Sequence, residues 1–268
     1  LKSRGISTTV YIKPLPLHPL YRKYNRGIKN SLKIWKELVS VALPDSRFHL
    51  NFAEYIPDFD NSDSAIQRVI SLDEYKQCEY AFITPDNCLV GLRQQMIEDG
   101  IPFVMSTYGI YRGFLLIEPG MVPDGDAKYA AWLDGMEHFG RPIKLDEIAQ
   151  GRKFDFLVTG ASAVSKNGVR FGKGHGFFDL EWGMFTDVGV VDEKTAIAAV
   201  IHECQLVDED LTPSETDILV DYIVTPMELH RVLNRGQRPS GIKWSLLNND
   251  QIQDTPPIQE LQKMQGLK

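Results

Sequence analysis

The chain has 268 residues, 43% hydrophobic and 24% charged, with a formal net charge of −7. That composition excludes a disordered or fibrous chain, and the negative charge argues against general nucleic-acid binding. No run reaches the roughly 18 apolar residues of a membrane span. The three cysteines, Cys78, Cys88 and Cys204, contain no C-x-x-C pair, so neither a disulfide framework nor a cysteine zinc site is expected and a cytoplasmic location is.

Residues 1–27 form a basic arm. Lys2, Arg4, Lys13, Arg22, Lys23 and Arg26, with Lys29 just beyond, all precede the first acid, Glu37. Such an arm could touch polyanions, lie in solvent or strap a neighbouring subunit. It does not have the charged-then-apolar order of a secretory leader, and Leu1 in place of methionine leads us to expect natural sequence before it. "NSLKIWKELVSVAL" then reads as a helix capped by Asn30 or Ser31, with Leu32, Trp35, Leu38, Val39 and Ala42 on one face. "YIPDFDNSDSAIQRVISL" is a turn-rich stretch leading into a second short helix. Apolar runs of strand length follow: YAFITP, CLVGL, IPFVMST, GFLLIEP, FDFLVTG, AIAAVIHE and LVDYIVTP. Helical patterns lie between several of them, GLRQQMIEDG and FFDLEWGMFTDVGV among them.

Strands apolar throughout and alternating with helices predict an α/β fold. The expected architecture is a mainly parallel sheet with helices on both faces, a Rossmann-like three-layer sandwich. One main domain is expected over 28–235, with 236–268 an extension packing back on it through Ile242, Trp244 and Leu246. No internal repeat or low-complexity tract is present.

The stretch "VRFGKGHGFFDLEW" at 169–182 carries glycine at 172, 174 and 176. Glycine loses the most backbone freedom on folding, so this pattern needs a sharp bend or a close backbone approach. It ends a predicted loop, ASAVSKNGVRFGKGHG at 161–176, between the strand FDFLVTG and the helix FFDLEWGMFTDV, where backbone N–H groups and a helix N-terminus converge in an α/β sheet and a phosphate chain can sit. Arg170 and Lys173 bring positive charge to the same place. Asp179 follows within reach of a metal, and Mg²⁺ on nucleotide phosphates takes only one or two protein carboxylates. The spacing fits neither a Walker loop nor G-x-G-x-x-G. "GASAV" lacks the closing glycine of a nucleophile elbow, and His202-Glu203 has Leu206 where a zinc helix needs its second histidine.

"GVRFGKGHGFFDLEW" resembles the nucleotide-binding signature of the 5-formyltetrahydrofolate cyclo-ligase family, roughly R-[LFI]-G-x-G-x-G-[YF]-[YF]-D. "IHECQLVDEDLTPSETDILVDYIVTP" is similar to that family's second block, and "YIPDFDNSDSAIQRV" with "RPSGIKW" resembles its methenyltetrahydrofolate synthetase-domain-containing branch. The resemblance spans about residues 28–260. It implies ATP- and Mg²⁺-dependent closure of 5-formyltetrahydrofolate to 5,10-methenyltetrahydrofolate. It also implies an ATP loop of Arg170, Phe171, Gly172, Lys173, Gly174, His175, Gly176, Phe177 and Phe178, with Arg170 and Lys173 neutralising charge as the reaction proceeds. Asp179 and Asp217 match the Mg²⁺-associated acids.

The chain departs from the family pattern in places. Phe177–Phe178 stand where Tyr-Tyr is usual, and the first helix offers only Lys29, Lys33 and Lys36 for a cationic clamp. The folate segment reads "IPDFDNSDS", where Asp58 or Asp60 stands in for a glutamate. In "MSTYGIYRG", Tyr108 or Tyr111 could stack on a flat ring and Arg112 could receive a carboxylate or phosphate. Asp217 could equally cap a turn, Asp221 reads as a structural partner, and Gln205 could touch ligand or satisfy a strand end. Besides the cyclo-ligase, two readings stay open: a paralogue using ATP on another formylated or heterocyclic substrate, and a non-catalytic folate- or nucleotide-binding module. The expected partner is a small folate, with no membrane and no nucleic acid; the sequence is also compatible with a homo-oligomer.

Overall fold

A computed structural model describes residues 28–267; the basic arm of residues 1–27 lies outside the described residues. Helices α1 (Ile28–Val41), α2 (Ser62–Ser71) and α3 (Asp73–Lys76) precede strand β1 (Ala81–Ile83) and helix α4 (Val90–Asp99). Strands β2 (Phe103–Ser106) and β3 (Phe114–Ile117), helices α5 (Ala127–Ala130) and α6 (Leu133–Phe139), strand β4 (Arg141–Ile143) and helix α7 (Leu145–Gln150) come next. The second half runs β5 (Phe156–Gly160), β6 (Ala163–Ser165), β7 (Arg170–Phe171), α8 (Phe177–Asp187), β8 (Ala196–Val200), β9 (Leu206–Val207), β10 (Tyr222–Val224), β11 (Leu229–Arg231), α9 (Asn249–Gln253) and α10 (Pro256–Met264).

The main sheet has the order β11-β10-β8-β5-β1-β2-β3-β4. Its middle strands, β10, β8, β5, β1 and β2, run parallel, while β11, β3 and β4 add antiparallel edges. The apolar strands need covering on both sides, and alternate residues supply the two faces. On β1, Phe82 joins the core under α7, α8 and α10, while Ala81 and Ile83 join the core under α2, α3, α4 and α6. The result is the α/β three-layer arrangement that the sequence pattern predicts. Between β1 and β5 the chain's progress across the sheet reverses: β1 leads through α4 to β2 on one side, and β5 through α8 to β8 on the other. At such a reversal the loops leaving the strand ends diverge and open a crevice.

Two expectations need correcting. The run CLVGL is not a strand, because Asn87–Leu89 form a 3-10 turn that passes directly into α4. A short buried apolar run has no periodicity that separates it from the start of a buried helix. The stretch 161–176 is also more than a loop: β6 pairs with β7 and with β9 in a small second sheet. In the C-terminal stretch Ile242 and Trp244 are partly buried against the α8 side of the core, and Ile258 and Leu261 of α10 are fully enclosed there. Leu246, expected to pack inward, is 52% exposed.

Arg93 fixes the turn after β1. Its guanidinium is buried and donates from Nε to the Ala131 carbonyl at 2.8 Å and from Nη1 to the Thr84 and Asp86 carbonyls at 2.9 and 3.1 Å. Arg93→Met leaves three carbonyls, those of the buried Ala131 and Thr84 and the part-buried Asp86, without their donor. We expect a loss of about 3 kcal/mol in stability, measured by urea unfolding. An unchanged midpoint would mean that water takes over all three bonds.

Candidate active site

At the carboxyl ends of β1, β2 and β5 lies a cavity of about 420 Å³, in the range of small-molecule sites. Thr84, Pro85 and Asp86 after β1, Ser106 at the end of β2, the glycine loop between β7 and α8, and Thr216–Asp217 before β10 all line it. The loop is shaped by glycine. Gly174 has φ 96° and Gly176, which caps α8, has φ 70°, values that side chains with a Cβ rarely adopt. This conformation turns the chain sharply into α8, whose first-turn residues Phe177, Phe178 and Asp179 line the cavity.

Arg170 is buried. Its Nε donates to the Gly160 carbonyl at 3.0 Å and its guanidinium lies 4.8 Å over the Phe178 ring. The charge is thus held at the cavity wall by the end of β5. Lys173 Nζ donates to the Glu54 carbonyl at 3.0 Å and sits 4.6 Å over the Tyr108 ring, whose hydroxyl donates to the same carbonyl at 2.5 Å. Burial draws its pKa below the ordinary lysine value. His175 stacks on Phe177 at 5.2 Å.

Asp179 sits in the first turn of α8, where its Oδ1 accepts from the Ile218 N–H at 3.2 Å. Enclosure pushes its pKa up to about 7, with Arg170 opposing the shift and Asp217 adding to it. Asp217 accepts from the Ser214 N–H at 2.7 Å, so it both caps a turn and faces the cavity. Among the described residues no group of three or more His, Cys, Asp or Glu could hold a metal. Two neighbouring carboxylates, each spending one oxygen on a backbone N–H, still fit Mg²⁺, because an ion carried on phosphates needs only one or two protein ligands.

The other candidates lie apart from this cavity. Asp60 is exposed, and Asp58 binds the Phe59 N–H at 2.9 Å with its pKa raised by burial. Tyr111 is 55% exposed and Arg112 is paired with Glu137. Gln205 satisfies a strand end, donating to the Ala161 carbonyl at 2.7 Å. Asp221 pairs with Arg235 at 2.5 Å and with Arg238. Lys33 and Lys36 of α1 are exposed, Lys33 lying 4.0 Å from Glu37.

Glu181 is the residue that motif reading passes over. It is 1% exposed, lines the cavity and is hydrogen-bonded by Ser106. Its Oε2 has no hydrogen-bond partner among the described residues. Burial pushes its pKa up to about 8, Asp86 and Asp179 add to the shift, and Arg170 opposes it. A signal was available: Glu181 is the sole charged residue in the stretch from Leu180 to Phe185, which is otherwise apolar and buried. Because the folded state holds this proton more tightly than the unfolded chain, the stability that Glu181 contributes is greatest below pH about 4.5 and is lost as pH rises to about 8. Glu181→Gln is expected to flatten that slope, removing about 3 kcal/mol of pH dependence in denaturant melts between pH 5 and 8. A wild-type stability flat over that range would refute it.

The opposite wall comes from the C-terminal stretch. Arg238, with its side chain fully enclosed, donates to the Leu219 carbonyl at 2.7 Å and the Thr195 carbonyl at 2.8 Å and lies 5.0 Å over the Trp182 ring. Trp182 Nε1 in turn donates to the Pro239 carbonyl at 2.8 Å. So anchored, Pro239, Ile242, Leu247 and Gln251 close the cavity.

Residues 33–226 match the 5-formyltetrahydrofolate cyclo-ligase family. The chain belongs to that family. It is 31% identical over 234 residues to a human methenyltetrahydrofolate synthase domain-containing protein, covering 85% of this chain and 59% of the relative. A zebrafish protein of the same name is 30% identical over 217 residues, 78% of this chain and 55% of the relative. The chain therefore spans just over half the length of these relatives. The solved structure of Aquifex aeolicus 5,10-methenyltetrahydrofolate synthetase superimposes with TM-score 0.47 at 16% identity, covering 78% of this chain and 94% of that one. The family match includes the glycine loop, Asp179, Glu181 and Asp217, whereas the wall from Pro239 to Gln251 lies beyond it.

Proposed function

We propose that the chain catalyses the ATP- and Mg²⁺-dependent cyclisation of 5-formyltetrahydrofolate to 5,10-methenyltetrahydrofolate, releasing ADP and phosphate. One observation carries the reading: within a cyclo-ligase family member, the loop Arg170–Gly176, the start of α8, Asp179 and Asp217 all face one cavity at the strand ends. The formyl oxygen attacks the γ-phosphorus and ADP departs. The second folate nitrogen then attacks the activated carbon, and the bond to the phosphate oxygen breaks. Little covalent chemistry falls to the protein, which positions the reactants and neutralises charge.

In this reading the amides of Gly172–Gly176 and the α8 N-terminus hold the phosphate chain, with Arg170 and Lys173 facing the charge that builds on the transferred group. Asp179 and Asp217 would hold Mg²⁺, which supplies charge neutralisation to the phosphates. A different heterocycle is the competing reading. It is favoured by the placement of Asp58, Asp60, Tyr111 and Arg112, the candidates for folate contact, outside the cavity lining.

The test is purified protein with Mg-ATP and 5-formyltetrahydrofolate, following the near-ultraviolet band of the methenyl product. An ATP-dependent band supports the cyclisation. No band, together with an ATP-induced rise in melting temperature, would transfer the site to another substrate.

A further inference from the structure

We propose that Lys243, with the carboxamide –NH2 groups of Asn248 and Gln251, forms an oxyanion subsite on the C-terminal wall of the cavity and receives a terminal carboxylate of the substrate. The inference deepens the cyclo-ligase reading and rests on it for the glutamate tail that the substrate carries.

The charges that line the cavity are unevenly engaged. Its acids, Asp86, Asp179, Glu181 and Asp217, sit on the turn after β1, on α8 and before β10. The lysines and arginines of the lining are Arg170, Lys173 and Lys243. Arg170 is held by the Gly160 carbonyl and the Phe178 ring, and Lys173 by the Glu54 carbonyl and the Tyr108 ring. The Lys243 ammonium makes no ion pair or hydrogen bond among the described residues, although the residue is half-buried. Partial enclosure strips some of its water, and an anionic ligand would restore those bonds with charge-assisted ones.

Two further donors stand beside it in the chain. Lys243 leads into the short turn Trp244–Leu246, closed by the Leu246 N–H on the Lys243 carbonyl at 2.9 Å. After that turn Asn248 and Gln251 bond each other reciprocally. Asn248 Oδ1 accepts from the Gln251 N–H at 2.8 Å, and Gln251 Oε1 accepts from the Asn248 N–H at 3.1 Å. Only the oxygen of a carboxamide can accept from a backbone N–H, so each side chain is left with its –NH2 group. Lys243, Asn248 and Gln251 all line the cavity, and they are the polar side chains that the 239–251 wall contributes to it. This wall therefore offers donors, while every acid of the lining belongs to another element.

The wall is also fixed in place. The Gly241 and Ile242 N–H groups donate to Thr186 Oγ1 at 2.8 Å and Asp187 Oδ2 at 2.9 Å, at the end of α8. Trp244 Nε1 donates to Gln265 Oε1 at 3.2 Å, and Gln259 Nε2 donates to the Ile252 and Gln253 carbonyls at 3.2 and 2.7 Å. Donors carried on a backbone so held lose less freedom when a ligand arrives. Two oxyanions share the required chemistry, a glutamate carboxylate and a nucleotide phosphate. In the cyclo-ligase reading the phosphates already have the loop amides, Arg170, Lys173 and the Mg²⁺ acids. Lys243 is the cation of the lining that remains for the carboxylates.

Calorimetric titrations of the full chain compare 5-formyltetrahydrofolate with its bis-amide, in which both glutamate carboxylates are neutral, and measure Mg-ATP separately. We expect the wild type to bind the acid about tenfold more tightly than the bis-amide, the effect of one charged hydrogen bond partly screened by water. The preference is expected to fall below about twofold in Lys243→Gln, to persist in Lys243→Arg and to shrink as salt is added, with Mg-ATP affinity unchanged. Gln251→Glu keeps the acceptor for the Asn248 N–H but puts an oxygen in place of the –NH2 group, so it is expected to abolish the preference without lowering the melting temperature. Acid and bis-amide bound alike, with Mg-ATP weakened in Lys243→Gln, would overturn the carboxylate and make a phosphate the occupant of the same donors. Equal binding of the two folates, or binding of neither, with Mg-ATP affinity the same in wild type and Lys243→Gln, overturns the subsite altogether. A preference that Lys243→Gln leaves intact does so too. Failure here is distinct from failure of the cyclisation. Methenyl product formed without preference for the acid refutes this subsite alone, whereas preference without product refutes the cyclisation alone.

Discussion

Asp179→Asn is expected to lose at least about a thousandfold in ATP-dependent turnover while melting close to the wild type. Asparagine keeps an acceptor for the Ile218 N–H, now bonded by Asp179 at 3.2 Å, and it relieves the repulsion from Asp217 that helps raise the Asp179 pKa. The fold therefore gives up little, while the site loses one of two carboxylates able to hold Mg²⁺. Asp179→Ala is expected to lose the same turnover and, in addition, about 1–2 kcal/mol of stability, since Ile218 is wholly buried and its N–H is left unpaired. Steady-state assays across a Mg²⁺ series, with thermal melts of both variants, separate the two effects. Full activity in Asp179→Asn would remove Asp179 from the metal site.

The second large effect concerns the loop itself. Gly174→Val is expected to weaken ATP binding at least about 100-fold, because valine at φ 96° is strained and any relief rotates the amides that the phosphates would need. The control is Gly189→Ala at the far end of α8, where φ is 78° and nothing lies within 4 Å of an added Cβ. It carries comparable backbone strain of about 1–2 kcal/mol and is expected to leave ATP binding unaltered. Nucleotide titrations of both variants decide the matter: equal affinities would mean that the loop does not hold the phosphates.

Some of this site could be seen in the chain before its folding was known. Glycine at 172, 174 and 176 advertised a bent backbone because the residue type costs so much elsewhere, and Gly174 and Gly176 do adopt positive φ. The parallel sheet was legible from strands such as Phe156–Gly160, apolar at every position but one and buried along their whole length. Strands β6 and β7 were not legible, since two or three residues carry no period and their pairing depends on β9, far along the chain. Glu181 stood in plain view in "FFDLEW", yet its meaning comes from Ser106 and Asp86, brought beside it by two other strands. The Pro239–Gln251 wall was hidden for the same reason, being hung on Arg238 through carbonyls of Leu219 and Thr195.

That anchorage has a consequence for the order in which the protein matures. During synthesis every strand of the sheet leaves the ribosome before Arg238 does, so a sheet-complete intermediate exposes Trp182 and an open trough in place of a cavity. Closure of the cavity is then a late event, set by the docking of Arg238 together with Ile258 and Leu261, which lie further along the chain. A protease nick in the stretch 232–237 would sever the wall's covalent tie while leaving every strand of the sheet in place, and the wall would then hold only by its own packing, Arg238, Ile258 and Leu261 included.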